Sequence, residues 1–212
     1  MLSADSTSLV RTSLVLALLA FLPALVVCMT SFLRIVVVLS MIRHALGMPE
    51  TPPNAVLTAL ALFLTLLSMG KTLEQVASQG VQPFLAGKVS VEQAVTDGSL
   101  PLKTFMLRQV SDRDLKTVYT ISRQPLPRSS ADVGLVQLVP AFMLNELRTA
   151  FTIGFVILLP FLLIDLVVSA ILLSLGMLMV PPATISLPLK ILMFVLIDGW
   201  ALILEGLIGS FH

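Results

Sequence analysis

The sequence predicts an all-α membrane protein: two kinked helical hairpins, four long apolar helices in all, with a small helical polar insertion between them. Three observations carry this. Of 212 residues, 57% are hydrophobic and only 12% charged, with a mean hydropathy of +1.01. A soluble domain carries about 25% charged residues, so the surface of this chain must face lipid or other apolar subunits. The apolar residues fall in long runs that stop and restart at Pro and Gly rather than at polar loops. Finally, 14 of the 25 formal charges, eight basic and six acidic, lie between Lys71 and Asp132. The chain therefore divides into a first helical hairpin over 1–70, a polar helical insertion over 71–134, read as periplasmic, and a second helical hairpin with a Met-rich tip over 135–212.

The first apolar run, Leu14–Met29, approaches the roughly 20 residues that a bilayer span needs. Arg11 before it invites a signal-peptide reading. No small-x-small cleavage site follows, and the residue before Cys28 is not small, so the run reads as a retained membrane helix. Apolar character resumes over Ile35–Ile42, after Arg34, and closes at Arg43, His44, Gly47 and Pro49. The second run covers Ala55–Met69, with Lys71 and Glu74 able to reach an interface. In the insertion, the stretch Ser90–Ser122 has the pattern of two or three short amphipathic helices. Ser111-Asp112-Arg113-Asp114 is a helix start, with acids near the helix N-terminus. The third run, Leu135–Leu175, is longer than one span and contains Pro140 and Pro160, of a kind tolerated as kinks in membrane helices. The fourth covers Leu187–Ile208. Basic residues in the short loops place both loops in the cytoplasm, with the insertion and both termini outside.

Between the third and fourth runs, Gly176, Pro181, Pro182 and Pro188 break the helix pattern. Proline lacks the backbone donor and turns the preceding residue away from helix, which puts the turn near Val180–Ile185. Met177-Leu178-Met179 then sits at or beside the hairpin tip.

Charges inside apolar runs are expensive and therefore informative. They are Arg34, Glu146, Arg148, Asp165, Lys190, Asp198 and Glu205. Glu146 and Arg148 stand two apart, so on a helix they point at different neighbours. Asp165 and Asp198 lie about equally far from the turn, at similar depth in an antiparallel hairpin. They require a basic partner such as Lys190 or Arg34, or one of them holds a proton. Arg34 is accordingly expected to pair with an acid of another helix, with Asp165 and Asp198 the candidates. Seven such charges have too few partners within one subunit, which favours intersubunit ion pairs over a proton relay and predicts that the chain is unstable alone.

Other classes find little support. His44 and His212 are far apart, Cys28 is single and sits in an apolar run, and no phosphate loop, nucleophile elbow or metal-ligand spacing occurs. No catalytic residue, metal or cofactor is expected. A net charge of +1 gives no footprint for nucleic acid. A secondary transporter or ion channel is the alternative reading, from buried charges and Pro-broken helices, although no inverted repeat is evident. An intramembrane protease would need a paired-aspartate motif or a Ser/His dyad. Gly154 reads as a close helix-packing position.

Longer strings bring in a family. Met29–Gly47 (MTSFLRIVVVLSMIRHALG), Pro52–Met69, Phe105–Gln109 (FMLRQ), Glu146–Phe155 (ELRTAFTIGF), Pro160–Ser169 (PFLLIDLVVS) and Gly176–Trp200 together resemble the FliP/SctR family of flagellar and injectisome type III secretion, leaning to the flagellar branch. The resemblance covers nearly the whole chain, in order. It implies the core of an export gate in the bacterial inner membrane, within the basal body, through which unfolded substrates pass. Five copies would join four FliQ-type subunits and one FliR-type subunit in a right-handed helical assembly, alongside FlhA/FlhB-type proteins. The helices would form bent hairpins standing largely above the bilayer plane. Met177, Leu178 and Met179 match the Met-rich loop that constricts the channel. Leu178 departs from the three consecutive methionines of many members. Glu146 and Phe105, in strings flanking the insertion, would serve subunit contacts, with ordinary core packing the alternative for Phe105. Flagellar members often carry a cleaved signal peptide, and this sequence has only a short leader before the first matched helix.

Overall fold

The computed structural model describes residues 20, 21 and 23–211. The start of the first apolar run, before Ala20, lies outside them. Among the described residues there is no strand, and the elements follow the apolar runs closely, with breaks where backbone groups find other partners. Helix α1 (Pro23–Met29) meets α2 (Phe32–Ala45) at 82°. The Thr30 hydroxyl donates to the Val26 carbonyl, and the Ser31 N–H donates to Met69 Sδ at 3.3 Å. The Ser31 and Ser68 hydroxyls bond each other at 2.7 Å. A carbonyl and an N–H freed by the bend are thus met by side chains, the condition for a broken helix away from water.

Helix α3 (Asn54–Val76) runs through a π-helical turn, Ala77–Val81, into α4 (Gln82–Leu85), a 32-residue rod longer than its apolar run. The insertion holds α5 (Val91–Gln109) and α6 (Asp112–Ile121). Ser90 and Ser111 cap them through their side chains, the latter as the sequence predicts. Helix α7 (Leu135–Ser174) is continuous over 40 residues, and neither Pro140 nor Pro160 interrupts it. At a rise of about 1.5 Å per residue it is roughly 60 Å long, twice a hydrocarbon core of ~30 Å. Helices α8 (Ala183–Leu196) and α9 (Gly199–Gly209) meet at 66°. The fourth apolar run is therefore two helices and not one. Asp198 makes the corner at φ 49°, a left-handed conformation that Asp tolerates. A side chain on Gly199 would overlap the Phe194 ring. Among the described residues, two helices are long and apolar enough to cross a membrane, or up to four if each bent pair is one span.

The hairpin turn occupies 175–182, earlier than the expected Val180–Ile185. Pro182 stands at the N-cap of α8 and Pro188 lies inside that helix. A first turn has no use for its N–H groups, so the proline pair launches α8 instead of ending the turn.

Two cores result. In the first, Ile35, Val38, Leu39 and Ile42 of α2 pack between Leu57, Ala61 and Leu64 of α3, Ala150 and Phe161 of α7, and Ile203 and Leu207 of α9. Gly154 admits α2 closely, since a Cβ there would overlap Met41 Sδ. The second core joins the insertion to α7 through Met69, Phe105, Met106, Leu138 and Phe142. Beyond these cores, large apolar side chains stay exposed along α3, α7 and α8, among them Phe63, Leu67, Phe155, Leu163, Leu166 and Val195.

The π-helical turn seats α5 directly on backbone. A Cβ on Gly80 would sit 2.8 Å from the Ala94 carbonyl oxygen and from Gly98 Cα, atoms that cannot swing away. Gly80→Ala should therefore cost about 1–3 kcal/mol. Gly70→Ala, on the open face of α3 with nothing within 4 Å, should stabilise by up to about 1 kcal/mol through helix propensity. Thermal midpoints of the two variants in mild detergent should move in opposite directions; shifts of the same sign would remove the contact from the account.

Candidate functional site

Arg34 lies in the first turn of α2, just past the bend, and is 2% exposed. Its Nε donates to Glu146 Oε2 at 2.9 Å and its Nη2 to Glu146 Oε1, a two-pronged pairing with a carboxylate that is itself 0% exposed. Nη2 also donates to Gln109 Oε1 at 3.2 Å. Nη1 donates to the Ser210 carbonyl at 2.8 Å and to Ser210 Oγ at 3.0 Å. A guanidinium has five N–H donors, and here five acceptor contacts receive them. The ring of Phe211 covers its face, 4.1 Å from Cζ to the ring centroid. Asn145 Nδ2 donates to the Gln109 carbonyl at 2.8 Å, tying the node to α7 a second time.

This overturns the expected pairing of Arg34 with Asp165 or Asp198. Asp165 instead accepts from Lys190 Nζ at 2.6 Å, across the α7–α8 hairpin. Glu146 and Arg148 do point at different neighbours: Arg148 Nη2 lies 2.7 Å from Asp114 Oδ1 on α6. Five of the seven charges in apolar runs thus find partners inside the chain, which removes the reason given for intersubunit pairing. Asp198 and Glu205 are exposed and make no ion pair among the described residues. Phe105 is buried in the second core, edge-on to Phe142 with ring centroids 5.9 Å apart. Gln109, Asn145, Ser210 and Phe211 were not expected at Arg34, and nothing in their spacing shows that they converge.

The second feature is the tip. Gly176, at φ +75°, closes α7 with its N–H to the Leu173 carbonyl at 3.1 Å and the Met177 N–H to the Leu172 carbonyl at 2.9 Å. This is the paired bonding of a glycine-ended helix. On the other side, the Pro182 carbonyl accepts from the Ser186 N–H at 2.9 Å, and the Pro181 carbonyl accepts from both the N–H and the hydroxyl of Thr184. Met177, Leu178 and Met179 are held between these two caps. Leu178 is 76% and Met179 95% exposed. The Lys190–Asp165 pair ties the two legs of the hairpin together below the tip. Among the described residues no group of His, Cys, Asp or Glu is placed to hold a metal ion.

Comparison with known proteins places this geometry in context. A profile described as the FliP family matches residues 15–207. The flagellar biosynthetic protein FliP of Pectobacterium carotovorum is 48% identical over 203 residues, covering 96% of this chain and 79% of that protein. FliP of Bacillus subtilis is 43% identical over 205 residues, covering 97% and 93%. FliP of Buchnera aphidicola from Acyrthosiphon pisum is 47% identical over 203 residues, 96% of this chain but only 54% of that longer protein. Matched along almost its whole length by the profile and by these relatives, the chain belongs to the FliP family.

Proposed function

We propose that this chain is the core pore-forming subunit of a flagellar type III export gate, seated in the bacterial inner membrane at the basal body, and that Met177-Leu178-Met179 forms the constriction through which unfolded substrates pass. The observation that carries the reading is the tip itself. Three long apolar side chains stand exposed between two rigid caps, with a clamped hairpin beneath them. A ring of copies would gather these side chains around an axis, where the alternative for a lone chain is packing in lipid. The partners are further copies of the chain, five in all, with four FliQ-type subunits and one FliR-type subunit, next to FlhA/FlhB-type proteins. The exposed apolar faces of α3, α7 and α8 suit packing against such neighbours. An open apolar groove of about 420 Å³ between α7 and the α8–α9 bend, lined by Pro160, Phe161, Met193 and Leu202 among others, adds to them. The fully buried pair, Arg34 with Glu146, and the half-buried pairs Arg148–Asp114 and Lys190–Asp165 are made inside the chain. That favours a passive apolar channel over a transporter whose charges would line a solute path.

A Met179→Cys variant tests the proposal in the assembled particle. It should cross-link to an export substrate stalled in transit, and the cross-link should disappear when no substrate is stalled. Native mass spectrometry of the same preparation should find two kinds of smaller membrane subunits in fixed ratio. No substrate-dependent cross-link, or a stable monomer that moves small solutes, would overturn it.

A further inference from the structure

Phe211 stands in an unusual place. It packs against the first core and against the second, and its ring covers Arg34, which is bonded to α7 and α5. Ser210, beside it, supplies two of the five acceptor contacts of the guanidinium. Its hydroxyl donates onward to the Leu207 carbonyl at 2.6 Å in the last turn of α9. One short segment after α9 therefore touches the membrane helices, the insertion and the buried charge at once.

We propose that Ser210 and Phe211 form a clasp that couples the two cores through Arg34. Seated, they complete the donor set of Arg34 and hold the end of α9 against the end of α5. Unseated, they leave Nη1 without acceptors and the guanidinium face uncovered, so Gln109 loses part of what fixes it. The physical reason is the asymmetry of buried hydrogen bonds: a donor stranded away from water costs more than the bond contributes when made. Opening the clasp is therefore felt at Gln109, on a different helix and in the other core. A partner that drew α9 aside would loosen the insertion by this route. The inference concerns movement within the subunit and goes beyond the pore reading; it does not depend on what passes the tip.

Hydrogen exchange on the purified full chain in mild detergent tests it. Phe211→Ala should speed exchange in the last turn of α9 and, together with it, at residues 107–111 around the end of α5, by roughly tenfold in each. Ile208→Ala is the comparison: Ile208 packs against the first core only, so that variant should loosen α9 and leave 107–111 unchanged. An unaltered α5 end in Phe211→Ala, equal loosening there by Ile208→Ala, or the same loosening by Phe211→Ala in a chain already carrying Arg34→Met and Glu146→Leu, overturns the coupling, the last because Phe211 also packs directly on the second core. If Phe211→Ala does not accumulate, Phe211→Leu keeps the apolar bulk and removes the ring face. It should show the same joint pattern at lower amplitude, and a wild-type α5 end in that variant equally overturns the clasp.

Discussion

Replacing Glu146 by alanine should cost the isolated subunit about 3–5 kcal/mol, and replacing Arg34 by alanine about the same, because each leaves an unpaired charge in a place closed to water. Both groups are essentially fully buried. Against a total stability of about 5–15 kcal/mol, a loss of that size removes a large share of the margin and leaves the weakest case near the folding midpoint. Changing both at once, Arg34→Met with Glu146→Leu, should recover much of it, since an apolar pair of similar volume can stand in for a buried ion pair. Recovery should stop short of complete, because the Ser210 carbonyl and hydroxyl lose the Arg34 donor. Arg34→Lys keeps the charge but has no fork, and should fall between. Denaturation of the purified subunit in mild detergent, read by loss of helicity, gives all four values. The effect should hardly change with salt, since a buried pair is poorly screened. If Glu146 were instead a contact between subunits, Glu146→Ala would leave the isolated subunit as stable as before and lower only the yield of assembled particle. A double variant Arg34→Met with Glu146→Leu no more stable than either alanine variant would remove the ion pair as the cause.

The sequence marks Arg34 and Glu146 as costly charges that need partners, yet it does not pair them. They are 112 residues apart, and depth within an antiparallel hairpin points to Asp165 and Asp198 only if the helices are straight. The 66° corner at Asp198 puts that residue outside the register. The 82° bend before α2 brings Arg34 beside the insertion end of α7, not its membrane end. Apolar periodicity is blind to such corners, because both legs of a bent pair stay apolar. The apolar segments within the described residues, the Ser111 cap and the helical insertion are legible, since composition, N-cap chemistry and helix period are local. The Gly80–Gly98 contact was not: each glycine looks isolated in sequence, and a π-helical turn makes them meet.

The turn shows the same limit at smaller scale. Gly176 and Pro181-Pro182 mark a break, but proline both ends a helix and begins one. Choosing between those roles shifts the turn toward Gly176 and puts Met177, Leu178 and Met179, expected at or beside the tip, at its centre.

Their placement leads to the second large effect. Met177→Ala with Met179→Ala should raise ion conductance through the closed, purified gate several-fold in planar bilayers, while leaving assembly intact. The side chains make no hydrogen bond or ion pair that the fold requires, and Met179 is 95% exposed, so truncation removes little that stabilises the subunit. What it removes, in each copy of a ring, is apolar bulk at one height, fixed by the Gly176 cap on one side and the Pro182 start of α8 on the other. An apolar constriction stops ions by excluding water, so widening it lets water and ions through together. Secretion should persist in part, since a wider passage still admits a polypeptide. Met177→Leu with Met179→Leu separates sealing from adaptability. Leucine keeps the apolar bulk, so closed-state conductance should stay low. It lacks the unbranched, easily rearranged chain of methionine, so closure around varied side chains should worsen and conductance should rise only while a substrate is passing. A correctly assembled alanine variant with no added leak would place the seal on other residues, and a leucine variant as leaky at rest as the alanine one would show that bulk at this height is not what closes the channel.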